Sequence, residues 1–146
     1  MSVLADTNIL LRRTQPDHPS HPAAVESIAR LLETGETVFY THQNIAEFWN
    51  VATRPLTGNG LGFSTALASR EIETIERILV RLPDIPAIYG EWKRLVARHD
   101  VKGAKVYDTR LVAAMNVHGV RRILTFNGAD FLRFGVEILD PHAFVA

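Results

Sequence analysis

Thr37-Val38-Phe39-Tyr40-Thr41-His42-Gln43-Asn44-Ile45-Ala46-Glu47-Phe48-Trp49-Asn50-Val51-Ala52 changes its periodicity part-way along, and that change decides the fold class. Residues 37–41 are β-branched or aromatic, the composition of a strand. From Ile45 the apolar positions recur at i, i+3, i+4 and i+7, as Ile45, Phe48, Trp49 and Ala52, which mark one face of a helix. Arg54-Pro55 should end that helix, because the residue before a proline is pushed out of helical geometry. A strand feeding directly into a helix is half of a βαβ unit.

The same alternation continues on both sides. Upstream, Val3-Leu4-Ala5 reads as a short buried strand. Pro22 opens a helix with Val25, Ile28, Leu31 and Leu32 at helical spacing and Gly35 as its stop. Downstream, a Gly-rich loop from Leu56 to Gly62 precedes the longest helix, whose stripe is Ile72, Ile75, Leu79 and Leu82. Glu73 and Arg77 are placed on its other face for an i,i+4 pair. Leu82-Pro83-Asp84-Ile85 reads as a short edge strand, and Ile88, Trp92, Leu95 and Val96 mark another helix. Val101 to Val106 is expected as a loop, Asp108 to His118 as a helix stopped by Gly119, and Arg122–Phe126 and Val136–Leu139 as strands. Strands alternating with helices of this length imply crossovers and a mainly parallel sheet. The expectation is one α/β domain over residues 1–146, a three-layer α/β/α sandwich around four to five strands.

Composition narrows the function. At 146 residues the chain fits one ordinary domain; 47% is apolar and 22% charged, which is globular. It has no cysteine, which removes disulfides, thiolate zinc sites and cysteine nucleophiles together. No apolar run spans a bilayer, and the N-terminus lacks the core of a secretory signal, so a cytoplasmic protein without a membrane partner is expected. Sixteen basic and sixteen acidic residues give zero net charge, against a dedicated basic nucleic-acid coat but not against a local patch. Arg12-Arg13, Lys102 with Lys105, and Arg121-Arg122 are the local clusters.

In open α/β sheets the site lies beyond the carboxyl ends of the strands. Four acids fall near such places: Asp6 ends the first strand, Glu47 sits early in the helix after the second, Asp108 opens the Ala-rich helix, and Asp130 follows the Arg122–Phe126 strand. Converging carboxylates repel strongly, and a hard divalent cation with oxygen ligands is the usual remedy. Each acid also has a structural explanation. Asp6 can cap a helix starting at Ile9, Asn44 and Glu47 resemble a capping box, Asp108 can cap its own helix, and Asp130 lies in a turn.

Taken in order, these stretches resemble a known family. Asp6-Thr7-Asn8 is similar to the opening motif of PIN domains, and His42-Gln43-Asn44-Ile45-Ala46-Glu47-Phe48 to their second. Tyr107-Asp108-Thr109-Arg110-Leu111-Val112-Ala113-Ala114 resembles the third, and Thr125-Phe126-Asn127-Gly128-Ala129-Asp130-Phe131 the fourth. The third motif has Thr109 where a small Ala is frequent. The resemblance covers nearly the whole chain, and it implies an acidic pocket holding one or two Mg²⁺ or Mn²⁺ ions through Asp6, Glu47, Asp108 and Asp130. Thr7, Asn8, Thr125 and Asn127 would orient those groups or the substrate.

The implied activity is endoribonuclease, often as a VapC-like toxin of a type II toxin–antitoxin pair. An antitoxin protein, RNA and a second copy of the chain in a homodimer would be its partners. Arg12, Arg13, Lys102, Lys105 and Arg110 are candidate RNA-phosphate contacts. A PIN-fold RNA-processing nuclease without an antitoxin, and a non-catalytic PIN-fold binding module, are the alternatives. Gly58-Asn59-Gly60-Leu61-Gly62 is no dinucleotide fingerprint, since it follows a helix. His18 and His21 lie between prolines, a poor frame for zinc.

Overall fold

In a computed structural model describing residues 1–146, β1 (Ser2–Ala5) pairs with the strand just quoted, β2 (Thr37–Thr41), and every pairing in the sheet is parallel. With β3 (Val80–Leu82), β4 (Arg122–Leu124) and β5 (Glu137–Leu139) the spatial order is β3-β2-β1-β4-β5. Seven helices surround it: α1 (Thr7–Arg12), α2 (His21–Glu33), α3 (His42–Thr53), α4 (Thr65–Ile78), α5 (Ala87–Arg98), α6 (Lys105–His118) and α7 (Pro141–Val145). Short 3-10 turns cover Leu56–Gly58 and Gly128–Phe134.

Successive side chains on a strand point to opposite faces, and this divides the core in two. Val3, Ala5, Val38, Tyr40 and Leu124 face α1–α4, where Ile9, Leu10, Ile28, Leu31, Phe48, Ala52 and Ile75 meet them. Leu4, Leu82 and Ile123 face α5 and α6, against Ile88, Leu95 and the run Leu111–Met115. Because both faces are covered, β1 reads as a continuous apolar run rather than an alternation. The expected three-layer parallel architecture, at five strands, is what the chain forms.

Several boundaries move. The long helix stops at Ile78, so Leu79 and Leu82 leave the expected stripe and Leu82 becomes the end of β3. Pro83, which has no N–H to continue a ladder, begins the connection that was expected as a strand. The Glu73–Arg77 pair does not form; Arg77 donates to Thr74 Oγ1 at 3.0 Å. The segment expected as a loop to Val106 already contains the start of α6 at Lys105. β4 ends at Leu124 and β5 begins at Glu137, each shorter than expected. Gly35 and Gly119 do stop their helices, with φ of 80° and 73°.

The chain lays down β1, β2 and β3 in one direction, then crosses to β4 and β5 on the other side of β1. The strand order therefore reverses between β1 and β4. A crevice opens beyond the carboxyl ends of strands at such a reversal.

Candidate active site

β1 and β4 deliver their polar residues into that crevice through main-chain pairing. Leu4 lies opposite Ile123 and Ala5 opposite Leu124, and the Asp6 amide donates to Leu124 O at 2.9 Å. Asp6 and Thr125 consequently emerge side by side. Thr125 Oγ1 donates to Asp6 Oδ2 at 2.8 Å and receives the Asn127 amide at 3.0 Å. Asn8 Nδ2 reaches Thr125 Oγ1 at 3.3 Å, while Asn8 Oδ1 accepts the Phe126 amide at 3.4 Å. Asp6 is also the N-cap of α1, accepting from the Thr7 amide at 2.8 Å. The capping role expected of Asp6 exists, but the helix begins at Thr7 rather than Ile9.

α3 brings the second acid. Its cap is Thr41, and the box partner is Asn44: Asn44 N donates to Thr41 Oγ1 at 3.1 Å and Thr41 N to Asn44 Oδ1 at 2.8 Å. The expected Asn44–Glu47 box is therefore corrected, because α3 starts at His42 and places Glu47 beyond the first turn. Freed from capping, Glu47 Oε1 accepts from Thr7 Oγ1 at 2.8 Å, and Asn44 Nδ2 donates to that same hydroxyl at 3.0 Å. Gln43 Nε2 stands 3.5 Å from Glu47 Oε2 and donates to Tyr107 O at 2.8 Å.

Asp108 is a correction too. α6 begins at Lys105, so Asp108 lies in its first turn and caps nothing. Its carboxylate accepts no protein hydrogen bond and is half-buried at the mouth of the cleft. Thr109 is fully buried and bonds back to Lys105 O at 2.9 Å, which satisfies the hydroxyl placed where a small residue was expected. Asp130 sits in the 3-10 turn Gly128–Phe134, with its carboxylate on the Lys105 ammonium.

Asp6, Thr7, Asn8, Glu47, Asp108 and Asn127 line one cleft of about 310 Å³; Asn50, one turn beyond Glu47, joins them. Asp130 is outside that lining. Burial first, and then the charges of Asp108 and Glu47, push Asp6 up to about 6 against the pull of Thr125 and Thr7. Asp108 is likewise pushed up to about 6, chiefly by burial and by Asp130, while Lys105 draws it down. Carboxyls this perturbed by burial and by one another are short of positive charge, and an all-oxygen donor set suits Mg²⁺ or Mn²⁺. In the rotamers present no three acidic or histidine side chains converge on one point. Glu47 is turned onto Thr7 and Asp130 onto Lys105.

The basic residues divide differently from the sequence expectation. Arg13 pairs with Glu71 at 2.9 Å, Arg12 donates to Gln15 at 2.7 Å, and exposed Lys102 lies 3.3 Å from Asp100. Arg110 reaches the site indirectly, donating to Gln43 Oε1 at 3.1 Å. Arg122 is buried against Glu36 at the opposite, amino end of the sheet. His18 and His21 turn their Nδ1 atoms onto the Ser20 amide and Arg12 O. Gln43 and Asn50 were missed by sequence reasoning. Their spacing of four before and three after Glu47 puts all three on one helical face, and that was the available signal. A more apolar groove of about 360 Å³ between Asp84 and Arg110 contains none of the four acids.

A family model described as PIN domain matches residues 3–137. No curated protein matches the sequence. Among solved structures the chain is similar to Mycobacterium tuberculosis VapC20, described as a Sarcin-Ricin loop cleaving toxin. The TM-score is 0.69 at 17% identity, covering 92% of this chain and 95% of that one. It is similar to a chain of VapBC2 from Rickettsia felis, bound to a promoter DNA fragment, at TM-score 0.70, 13% identity and coverages of 95% and 98%. A toxin–antitoxin complex from Klebsiella pneumoniae gives 0.63 and 16%, over 95% and 97%. At these identities the likeness is one of fold.

Proposed function

The chain belongs to the PIN domain family, and from that premise we propose that it is a Mg²⁺- or Mn²⁺-dependent endoribonuclease serving as the toxin of a type II toxin–antitoxin pair. One observation carries the nuclease reading: Asp6, Glu47 and Asp108 share a cleft at the strand-order reversal, and two of them are lifted to about 6 by burial and by neighbouring carboxylates. The toxin reading is supported by the similar folds of VapC20 and of the toxin–antitoxin complexes. An antitoxin partner, a homodimer and a cytoplasmic setting belong to the same proposal.

Asp6, Glu47 and Asp108 would hold the ion, with Asp130 at the outer edge. When bound, such an ion makes a water acidic enough to attack near neutral pH and neutralises charge on the phosphate. The chain's own contribution is orientation. Thr125 and the Thr7 amide lock both Asp6 oxygens, and Thr7 and Gln43 hold the two oxygens of Glu47. Asp108, free of protein donors, keeps both oxygens for ion or water. Lys105, on Asp130, and Arg110, through Gln43, are the basic residues connected to this machinery; Arg12, Arg13 and Lys102 would meet more distant phosphates, making binding salt-dependent.

Purified protein should cut total RNA into discrete fragments with Mg²⁺ or Mn²⁺ and not with EDTA. Asp6→Asn and Asp108→Asn should abolish the fragments. Water as nucleophile leaves a 5′-phosphate and a 3′-hydroxyl; 2′,3′-cyclic phosphate ends would sink the scheme. Expression should arrest growth and Asp6→Asn should relieve it, whereas unimpaired growth with intact cleavage in vitro would favour a nuclease without an antitoxin.

A further inference from the structure

Lys105 is the first residue of α6, where a positive charge opposes the helix dipole. It is nevertheless turned onto Asp130, 25 residues away, across the contact between α6 and the Gly128–Phe134 turn. Asp108 lies three residues further along α6, so lysine and aspartate share one face of the helix. An ammonium thus sits at the outer end of the acid set, while nothing positive touches Asp6, Glu47 or Asp108 at the inner end.

We propose that Lys105 is a built-in second cation at the outer edge of this cleft, so that the chain takes one divalent ion rather than two. The inference rests on the metal-dependent reading above. A second ion at Asp130 would have to expel the ammonium or share a carboxylate with it, and like charges on one carboxylate repel. Asp6 and Glu47 have no such competitor. Lys105 carries three N–H donors and no acceptor, and its side chain is 48% exposed. With one donor on Asp130, the others are open to a phosphate oxygen of the substrate.

The test is a Mn²⁺ titration of the full chain, following free Mn²⁺ by electron paramagnetic resonance. Wild type is expected to bind one Mn²⁺ per chain and Lys105→Met two, the second on the vacated Asp130. Lys105→Arg keeps the charge and should stay at one. Lys102→Met makes the same charge change three residues away, with its lysine on Asp100, and should also stay at one. Two ions on wild type, or one on Lys105→Met, would overturn the inference while leaving metal dependence standing. A second ion on Lys102→Met as well would overturn it, by showing a general charge effect. Absence of binding by every variant would overturn both this inference and the reading beneath it. Circular dichroism of each variant checks that the fold is retained.

Discussion

Asp6 is the most buried of the four acids, at 7% exposure, and its environment both stabilises and penalises its charge. The Thr125 hydroxyl and Thr7 amide favour the anion, but burial outweighs them and lifts the carboxyl from 3.8 to about 6. A folded-state value above the unfolded one contributes stability below about pH 3.8 and loses it as pH rises through about 6. That loss is on the order of 3 kcal/mol at neutral pH. Asp108 acts in the same direction. Metal-free protein should therefore be less stable at pH 8 than at pH 5. Asp6→Asn should recover up to roughly 3 kcal/mol at pH 8 and little at pH 3, below the unfolded value, measured by urea unfolding in EDTA. Equal stabilisation at both pH values would show that the anion of Asp6 is not what burial opposes. The identity of this residue was legible in the sequence, as the acid closing an apolar strand. Its partner Thr125, 119 positions away, became its neighbour only through β1–β4 pairing.

At the scale of the element, the N-terminus of α3 joins fold to site. Asn44 is fully buried; it closes the Thr41 capping box with one oxygen and holds the Thr7 hydroxyl with its amide nitrogen. That hydroxyl in turn donates to Glu47. Replacing Asn44 with Ala keeps the Thr41 cap but removes the reciprocal half of the box and leaves the buried Thr41 amide unpartnered, so a loss of about 2–3 kcal/mol is expected from urea unfolding. Mn²⁺ affinity should weaken with it, since Glu47 loses the group that fixes Thr7. Stability lost with unchanged affinity would confine Asn44 to capping. The helix itself was readable from Ile45, Phe48, Trp49 and Ala52. Its start was not, because Thr41 and Asn44 each satisfy capping preferences, in two different registers. A shift of two or three residues changes which side chain caps and which faces the cleft. The same shift at α6 turned Asp108 from an expected cap into a half-buried acid of the cleft.

Across the whole molecule, parallel strands separate a stabilising end from a chemical one. At the amino ends, Arg122 of β4 is bridged to Glu36 just before β2, 86 residues apart and both largely buried. At the carboxyl ends lie the four acids. Arg122→Met should cost about 2–4 kcal/mol in urea unfolding, because Glu36 is left without its counter-charge. Mn²⁺ affinity should change less than twofold. A large change in affinity would show that the two ends of the sheet are energetically coupled.

The sequence by itself determined the alternation of strands and helices, the parallel sheet buried on both faces, and the order of the four acid-bearing motifs. Those are properties of local periodicity and residue type, which short stretches carry on their own. The tertiary structure decided which of those residues meet. Pairing of β1 with β4 puts Asp6 beside Thr125, its pairing with β2 puts Thr7 beside Glu47, and α6 brings Asp108 within the field of both Glu47 and Asp130. It also decided that the apparent basic pair Arg121-Arg122 lies at the far end of the sheet and that Lys105 turns onto Asp130. Spacing along the chain cannot predict these pairings, because they depend on which strands become neighbours and on the register between them.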